Sequence, residues 1–169
     1  MNRRNVALMD VTGDGCPDFV VSGNNGQIQV SINKVGTTNK LKRVSRPLGA
    51  NFVVSYHKEG NTYDMPHLKW VLDKVLLSDG YSVDGSDQMQ TFRYSSEKYN
   101  RLEREFYGFG QVIMEYRNPA NSSLLKSVIT NYCTSSYYNK GLVSSEEIRD
   151  SGGKVRLRYF LPMIPICQR

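Results

Sequence analysis

The feature that most constrains the fold is a recurring pattern of short segments in which apolar and polar residues alternate, with turn residues between them. The clearest segment spans residues 27–33, where Ile28, Val30 and Ile32 alternate with Gln, Ser and Asn side chains. A period of two with one polar face is typical of an antiparallel strand that is buried on one side only. Related segments occur at residues 6–9, 18–22, 52–57, 70–77, 90–94, 110–116, 124–134 and 154–160. The sequence therefore predicts an all-β fold built from consecutive antiparallel hairpins.

The composition agrees with a β-rich globular protein and excludes two other classes. Hydrophobic residues make up 39% of the chain and charged residues 22%, which is too apolar for a disordered protein. No apolar run approaches the roughly 18 residues that a membrane-spanning helix needs, and the first residues lack the apolar stretch of a signal peptide. The 11 tyrosines and 14 glycines suit a protein of many strands and tight turns.

The style of the β structure changes at the polar, glycine-containing residues 36–40, which are the best candidate for a boundary. We therefore predict a first unit over residues 5–36 and a second unit, with longer strands and more tyrosine, over residues 40–161. Helix is indicated only at residues 95–105 and 144–149. Both segments are short and charged, and neither has the apolar stripe by which a helix packs.

Residues 10–18, with the sequence Asp-Val-Thr-Gly-Asp-Gly-Cys-Pro-Asp, carry the strongest chemical signal. Oxygen-bearing side chains at the first, third, fifth and ninth positions suit calcium, which prefers roughly six to eight oxygen ligands. The predicted ligands are the side chains of Asp10, Thr12, Asp14 and Asp18 and the main-chain carbonyl of Cys16. An EF-hand is excluded because Val21 stands where that motif needs a glutamate and because the loop lies between two predicted strands. An Asp-rich turn without a metal ion is the alternative interpretation.

The loop and its flanking strands, over residues 5–36, resemble a single FG-GAP/VCBS repeat, the unit that forms one blade of a calcium-bearing β-propeller. Thr12 stands where Asn or Asp is commoner in these repeats, which keeps an oxygen but weakens one ligand. A propeller typically has about four to eight blades, and a single blade cannot bury its two faces. The resemblance therefore implies that the chain is a piece of a larger assembly.

Two blocks in the rest of the chain resemble the shell-forming region of Rhs/YD-repeat toxins: Pro-Leu-Gly-Ala-Asn-Phe at residues 47–52 and Glu-Phe-Tyr-Gly-Phe-Gly at residues 105–110. The blocks are similar to those of the B component of insecticidal Tc toxin complexes and of the SpvB-type virulence proteins, and the resemblance covers about residues 5–135. It implies a propeller followed by a hollow β-shell. It also implies that the partners are other segments or subunits of a toxin complex, that the shell encloses a toxic C-terminal polypeptide, and that the parent protein is secreted or displayed at the cell surface.

The sequence lacks the motifs of an enzyme. Gly-x-Ser-x-Gly, Walker and Rossmann patterns are absent, and the three cysteines do not have a metal-binding spacing. We interpret His57 and His67 as loop histidines, and Glu103 and Glu105 as paired surface charges. The net charge of +6 and the basic residues 40–46 permit nucleic-acid binding, but tyrosines at strand spacing favour sheet packing instead.

Two classes of function remain open. One is a non-catalytic structural segment of a secreted Rhs/Tc-type toxin, and the other is a calcium-stabilised adhesion or carbohydrate-contact module. A run of YD repeats further along the parent protein would favour the toxin, whereas glycan binding by the chain itself would favour adhesion.

Overall fold

The computed structural model describes residues 5–23, 26–36, 38–81 and 87–160. In this part of the chain it shows eleven β-strands in two antiparallel sheets and no α-helix, which confirms the predicted all-β fold. Accordingly, no helix among the described residues could cross a membrane. Residues 82–86, within the polar segment 79–86, and the tail after Phe160 lie outside the described residues.

The first sheet has three strands in the order β1-β2-β3. The strands are β1 (Val6–Met9), β2 (Asp18–Ser22) and β3 (Ile28–Ser31). Val20 in the central strand lies opposite Ala7 on one side and opposite Val30 on the other. The alternating segment at residues 27–33 thus contains an antiparallel strand, as predicted, but β3 is an edge strand whose apolar side chains are exposed instead of buried. The acidic loop connects β1 to β2.

The second sheet has eight strands, and each pairs with its neighbours along the chain, in the order β11-β10-β9-β8-β7-β6-β5-β4. The strands are β4 (Arg43–Ser45), β5 (Asn51–Glu59), β6 (Lys69–Ser78), β7 (Gln88–Asn100), β8 (Glu105–Arg117), β9 (Leu124–Tyr132), β10 (Val143–Asp150) and β11 (Val155–Phe160). The longest strands, β7 and β8, have 13 residues each. This order is the predicted series of hairpins, with β4 and β10 in addition to the strands that the alternation indicated.

The two predicted helices are wrong. Residues 95–100 are the second half of β7, which leads through a turn into β8, and residues 144–149 lie within β10. Charges in these segments find partners within the sheet: Glu147 accepts from Arg149 at 2.8 Å and from Arg158 on β11 at 2.7 Å. A charged segment without an apolar stripe has no helix face to bury, so pairing with neighbouring strands prevails over helix propensity.

One face of the eight-stranded sheet is largely apolar. Residues in register across five strands form an apolar row of Phe92, Met114, Val128, Ile148 and Leu157. The rings of Tyr94 and Phe109 lie 4.9 Å apart, and those of Phe106 and Phe109 lie 5.4 Å apart. These ring contacts lie near the glycines at the start of β8. The side chains of the row are half-buried or exposed, so no second layer formed by the described residues covers them.

The opposite face carries the buried Met89 and Ile129 and a polar network around Glu115, whose side chain is nearly buried. One oxygen of this carboxylate, Oε2, accepts from the Thr91 hydroxyl at 3.3 Å and from Arg117 Nε and Nη2 at 3.0 and 2.8 Å. Arg93 Nη2 also donates to Oε2, at 3.4 Å. Hydrogen bonds to an ionised group are stronger than neutral ones, so this network contributes to the stability of the paired strands β7 and β8.

Acid is expected to weaken the second sheet through Glu147 and Asp150. A hydrogen bond from Arg149 to Glu147, and one from the Lys154 amide to Asp150, hold the pKa of each carboxyl below its ordinary value. Because each pKa is lower in the folded protein, the stabilisation is complete above the ordinary values of 4.5 and 3.8 and is lost as the pH falls below them. Thermal unfolding from about pH 7 to about pH 3 measures this loss. Glu147→Gln should flatten the pH dependence of the unfolding midpoint more than the control Glu146→Gln, whose side chain lies on the opposite face of β10. Equal pH dependence in the two variants would contradict the role of Glu147 in acid destabilisation.

The chain divides into two compact units, and the first combines Met1–Lys40 with Tyr56–Val71, while the second combines Leu41–Ser55 with Leu72–Arg169. The first unit thus contains the predicted blade and also the far part of the β5–β6 hairpin. Within it, the buried Met65 exchanges hydrogen bonds with Thr62, whose hydroxyl accepts from the Met65 amide at 3.0 Å. The division into separate domains at residues 5–36 and 40–161 stays a prediction.

Candidate functional site

Asp18 holds the acidic loop in place. Its side chain is fully buried, with 0% exposure. Oδ2 accepts hydrogen bonds from the amides of Val11 at 3.0 Å and Thr12 at 3.2 Å, and Oδ1 accepts from the amide of Asn33 at 2.8 Å. These amides, that of Asn33 most of all, hold the pKa of Asp18 below its usual value although burial acts in the opposite direction. The carboxylate therefore ties the loop to the end of β3.

Asp10 and Asp14 are satisfied in a similar way. Asp10 accepts from the amides of Asp14 at 3.0 Å and Gly15 at 2.7 Å. Asp14 accepts from the amide of Cys16 at 2.9 Å through one oxygen and from the ammonium of Lys58 at 3.2 Å through the other. The Cys16 amide is the main cause that lowers the pKa of Asp14, and Lys58 adds to it. Both oxygens of each of the three aspartates in the loop therefore accept a hydrogen bond.

The loop also packs closely on the segment around residues 56–71. Gly15 has a φ of +79°, and a Cβ at this position would lie 3.0 Å from the carbonyl oxygen of Leu68. A residue with a side chain would be strained there by its backbone conformation and crowded by its neighbour. Glycine is thus required at position 15 for the positive φ and for the close approach of the acidic loop to Leu68.

The structure places the five predicted calcium ligands in one loop but does not group them as metal ligands. Among the residues that the structure describes, no three His, Cys, Asp or Glu side chains lie together in a way that could hold a metal ion. The Thr12 hydroxyl faces Asp10 at 3.5 Å, and Cys16 contributes its amide to Asp14. Calcium needs several oxygens directed at one point. The side chains in this arrangement therefore do not fit the ion, and calcium binding stays a prediction.

Sequence reasoning missed Lys58. This residue lies in β5, 44 positions after Asp14 and just beyond the alternating segment at residues 52–57. Its ammonium lies 5.0 Å from the centre of the Trp70 ring, and that of Lys40 lies 5.4 Å from the same centre. No local spacing could have indicated the contact with Asp14, because the two residues meet only when the β5–β6 hairpin has formed.

The three-stranded sheet exposes apolar side chains on both of its faces. On one face Leu8 and Phe19 lie opposite each other and are 71% and 45% exposed. On the other face Ile28 and Val30 are 71% and 42% exposed. Exposed apolar patches of this kind mark surfaces that pack against another protein layer. The sheet is therefore suited to a position between two neighbours, as a blade is.

Two of the groups considered as enzyme candidates have a side-chain partner within the chain. His57 lies in β5 and not in a loop, which corrects the prediction, and its Nε2 is 2.8 Å from Oε1 of Glu59 on the same strand. Glu105 pairs with Lys140 on the β9–β10 connection, which confirms its interpretation as a paired charge.

Comparison with known proteins identifies one family and several solved structures. The family model described as "Insecticide toxin TcdB middle/N-terminal region" matches residues 1–146. A crystal structure of TcdB2-TccC3-TEV matches with a TM-score of 0.58 and 14% identity, over 87% of this chain and 10% of that one. A crystal structure of TcdB2-TccC3-Cdc42 and a Photorhabdus luminescens Tc holotoxin pore with a mutation in TccC3 each match with a TM-score of 0.54, at the same 14% identity and the same 87% and 10% coverage.

No curated protein matches the chain. The chain spans about 10% of the length of the solved structures, and at 14% identity this likeness concerns the fold alone. The family match, in contrast, covers residues 1–146 of 169. The resemblance to the B component of Tc toxins is thus confirmed, and the chain belongs to the family of the insecticide toxin TcdB middle/N-terminal region.

Proposed function

We propose that this chain is a non-catalytic structural segment of a secreted Tc/Rhs-type toxin. In this proposal the three-stranded sheet is one blade of the toxin's propeller, and the eight-stranded sheet is part of the wall of a β-shell that encloses a toxic polypeptide. Its partners are other segments or subunits of the toxin complex. The proposal rests on the family to which the chain belongs, and the names of the matched structures, in which TcdB2 accompanies TccC3, support it.

The observation that carries the proposal is the lack of cover on both sheets. In the first sheet, Leu8 on one face and Ile28 on the other are each 71% exposed, and in the apolar row of the second sheet Leu157 is 41% exposed. A protein with so much uncovered apolar surface is suited to a layer within a larger assembly rather than to independent existence.

The edge of the second sheet supports the same conclusion. Strand β11 pairs with β10 on one side and is exposed along its whole length, from Val155 to Phe160. Open strand edges of this length promote aggregation unless another strand, loop or helix covers them. In the proposed shell, a following strand of the parent protein would cover this edge.

The test compares Leu8→Asp in the isolated chain and in the complete toxin protein. Leu8 is 71% exposed here, so the substitution should change the unfolding free energy of the isolated chain by only about 0.5 kcal/mol. In the complete toxin, the same aspartate would be buried without a partner and should cost about 3 kcal/mol or more, with loss of assembled protein. Thermal unfolding and the yield of soluble complex measure the two effects.

Leu102→Asp is the matched control, because Leu102 is 95% exposed in the turn between β7 and β8. It should be tolerated in both proteins. Tolerance of Leu8→Asp in the complete toxin would contradict the proposed blade. Binding of the isolated chain to a glycan array, unaffected by either substitution, would indicate the adhesion or carbohydrate-contact module instead.

A further inference from the structure

We propose that Lys58 is the built-in counter-cation of the acidic loop, so that the loop keeps its fold without a divalent ion. The inference is independent of the role in the toxin, since it concerns only how the negative charges of the loop are balanced. Three carboxylates within nine residues repel one another unless positive charge or hydrogen-bond donors surround them. The structure supplies both kinds of compensation.

Main-chain amides compensate most of the charge. Asp18 accepts from three amides, Asp10 from two and Asp14 from one. Carboxylates that accept several amide hydrogen bonds are stable as anions even when they are buried. The amides thus stabilise the three carboxylates in the conformation that the loop has here, before any other ligand is considered.

Lys58 balances the charge at Asp14 Oδ2, the carboxylate oxygen of the three aspartates that accepts no main-chain amide. Its ammonium lies 3.2 Å from Asp14 Oδ2, and the two side chains are 30% and 17% exposed. Partial burial makes this ion pair stronger than one in open solvent, because water screens it less. The ammonium thus stands next to the carboxylate at the fifth position of the loop, where the sequence alone favours a metal ion.

The ammonium is held in this place from a second side. It lies 5.0 Å from the centre of the Trp70 ring, a distance at which a cation is attracted to the face of an indole. The close contact between Gly15 and the Leu68 carbonyl fixes the loop against the same hairpin. Lys58, Trp70 and the loop belong to one compact unit, so the pair is part of the packing of that unit.

Trp70 is the chain's one tryptophan, which makes its fluorescence a local reporter of the Lys58 ammonium. The full chain is titrated with calcium chloride and, separately, with a chelator, while tryptophan emission and the thermal unfolding midpoint are recorded. We expect no shift of either quantity between chelator and millimolar calcium. A rise of the midpoint with calcium, together with heat in titration calorimetry, would overturn the proposal and establish the predicted calcium site.

Three substitutions distinguish the ion pair from the cation on the ring. Lys58→Met should lower the unfolding midpoint by about 3 to 6 °C in chelator. Lys58→Arg, which keeps the charge, should restore most of this loss. Lys40→Met removes the other cation over Trp70 but leaves the Lys58–Asp14 pair in place, and it should lower the midpoint less. Equal losses for Lys58→Met and Lys40→Met would overturn the role of Lys58 as counter-cation.

Discussion

Gly60→Ala is expected to destabilise the first unit more than any other single-methyl addition in the β5–β6 hairpin. Gly60 has a φ of +128°, and a Cβ there would lie 2.2 Å from the carbonyl oxygen of His67 and 3.0 Å from Cα of Leu68. These neighbours are main-chain atoms on the opposite side of the hairpin, so they cannot move aside as a flexible side chain would. Backbone strain and this overlap together should cost about 3 kcal/mol or more.

Gly141→Ala is the control for the overlap. Gly141 also has a positive φ, +79°, but a Cβ there would meet nothing within 4 Å. Its substitution should cost only the conformational strain, about 1 to 2 kcal/mol. Urea unfolding of the two variants and the wild type measures the difference. If both variants lose the same stability, the close approach of Gly60 to His67 is not what requires glycine.

Asp18→Ala is the second substitution for which we expect a large effect. It leaves the amides of Val11, Thr12 and Asn33 without their acceptor in a buried position, where water replaces it poorly. The three-stranded sheet should open, because the carboxylate connects the β1–β2 loop to the end of β3. Hydrogen exchange should show protection of these three amides reduced at least about tenfold.

Two further variants make this prediction specific. Asp18→Asn keeps the shape of the side chain and one carbonyl oxygen, so it should lose less protection than Asp18→Ala. Asp10→Ala removes an exposed carboxylate that accepts from only two amides, and its effect should be confined to the loop. Unchanged exchange of the Asn33 amide in Asp18→Ala would show that β3 is held by its strand pairing alone.

Alternation in the sequence was sufficient to predict most strands, and its failures have a physical reason. Residues 27–33 alternate between apolar and polar side chains, so one side of the strand is recognisable from composition. Strand β10 places Glu147 and Arg149 on one face of the sheet and Glu146 and Ile148 on the other. Both faces of the strand therefore carry charge, and neither shows the apolar side that identifies a strand from its sequence. Its strand character depends on cross-strand partners from β9 and β11, which no local pattern contains.

The acidic loop illustrates a different limit of local patterns. The sequence places three aspartates within nine residues, and Gly13 and Gly15 between them have positive φ values that let the chain turn tightly. Their role as calcium ligands stays a prediction. A carboxylate that binds a metal and one that accepts main-chain amides have the same residue type and spacing, however. What distinguishes the two cases is the position of the hydrogen-bond donors around the carboxylates. One of these donors, Lys58, lies 44 residues after Asp14 in the β5–β6 hairpin, so the local sequence does not indicate it.

The strand order of the second sheet has a consequence for how this sheet could form during synthesis. Every strand from β4 to β11 is hydrogen-bonded to the strand just before or after it in the chain, so each pair forms between segments that are close in sequence. Low contact order of this kind favours fast folding, and it allows each hairpin to form as soon as it leaves the ribosome. A sheet with this strand order can form from its first strand onward during translation, before the remainder of the chain has been synthesised.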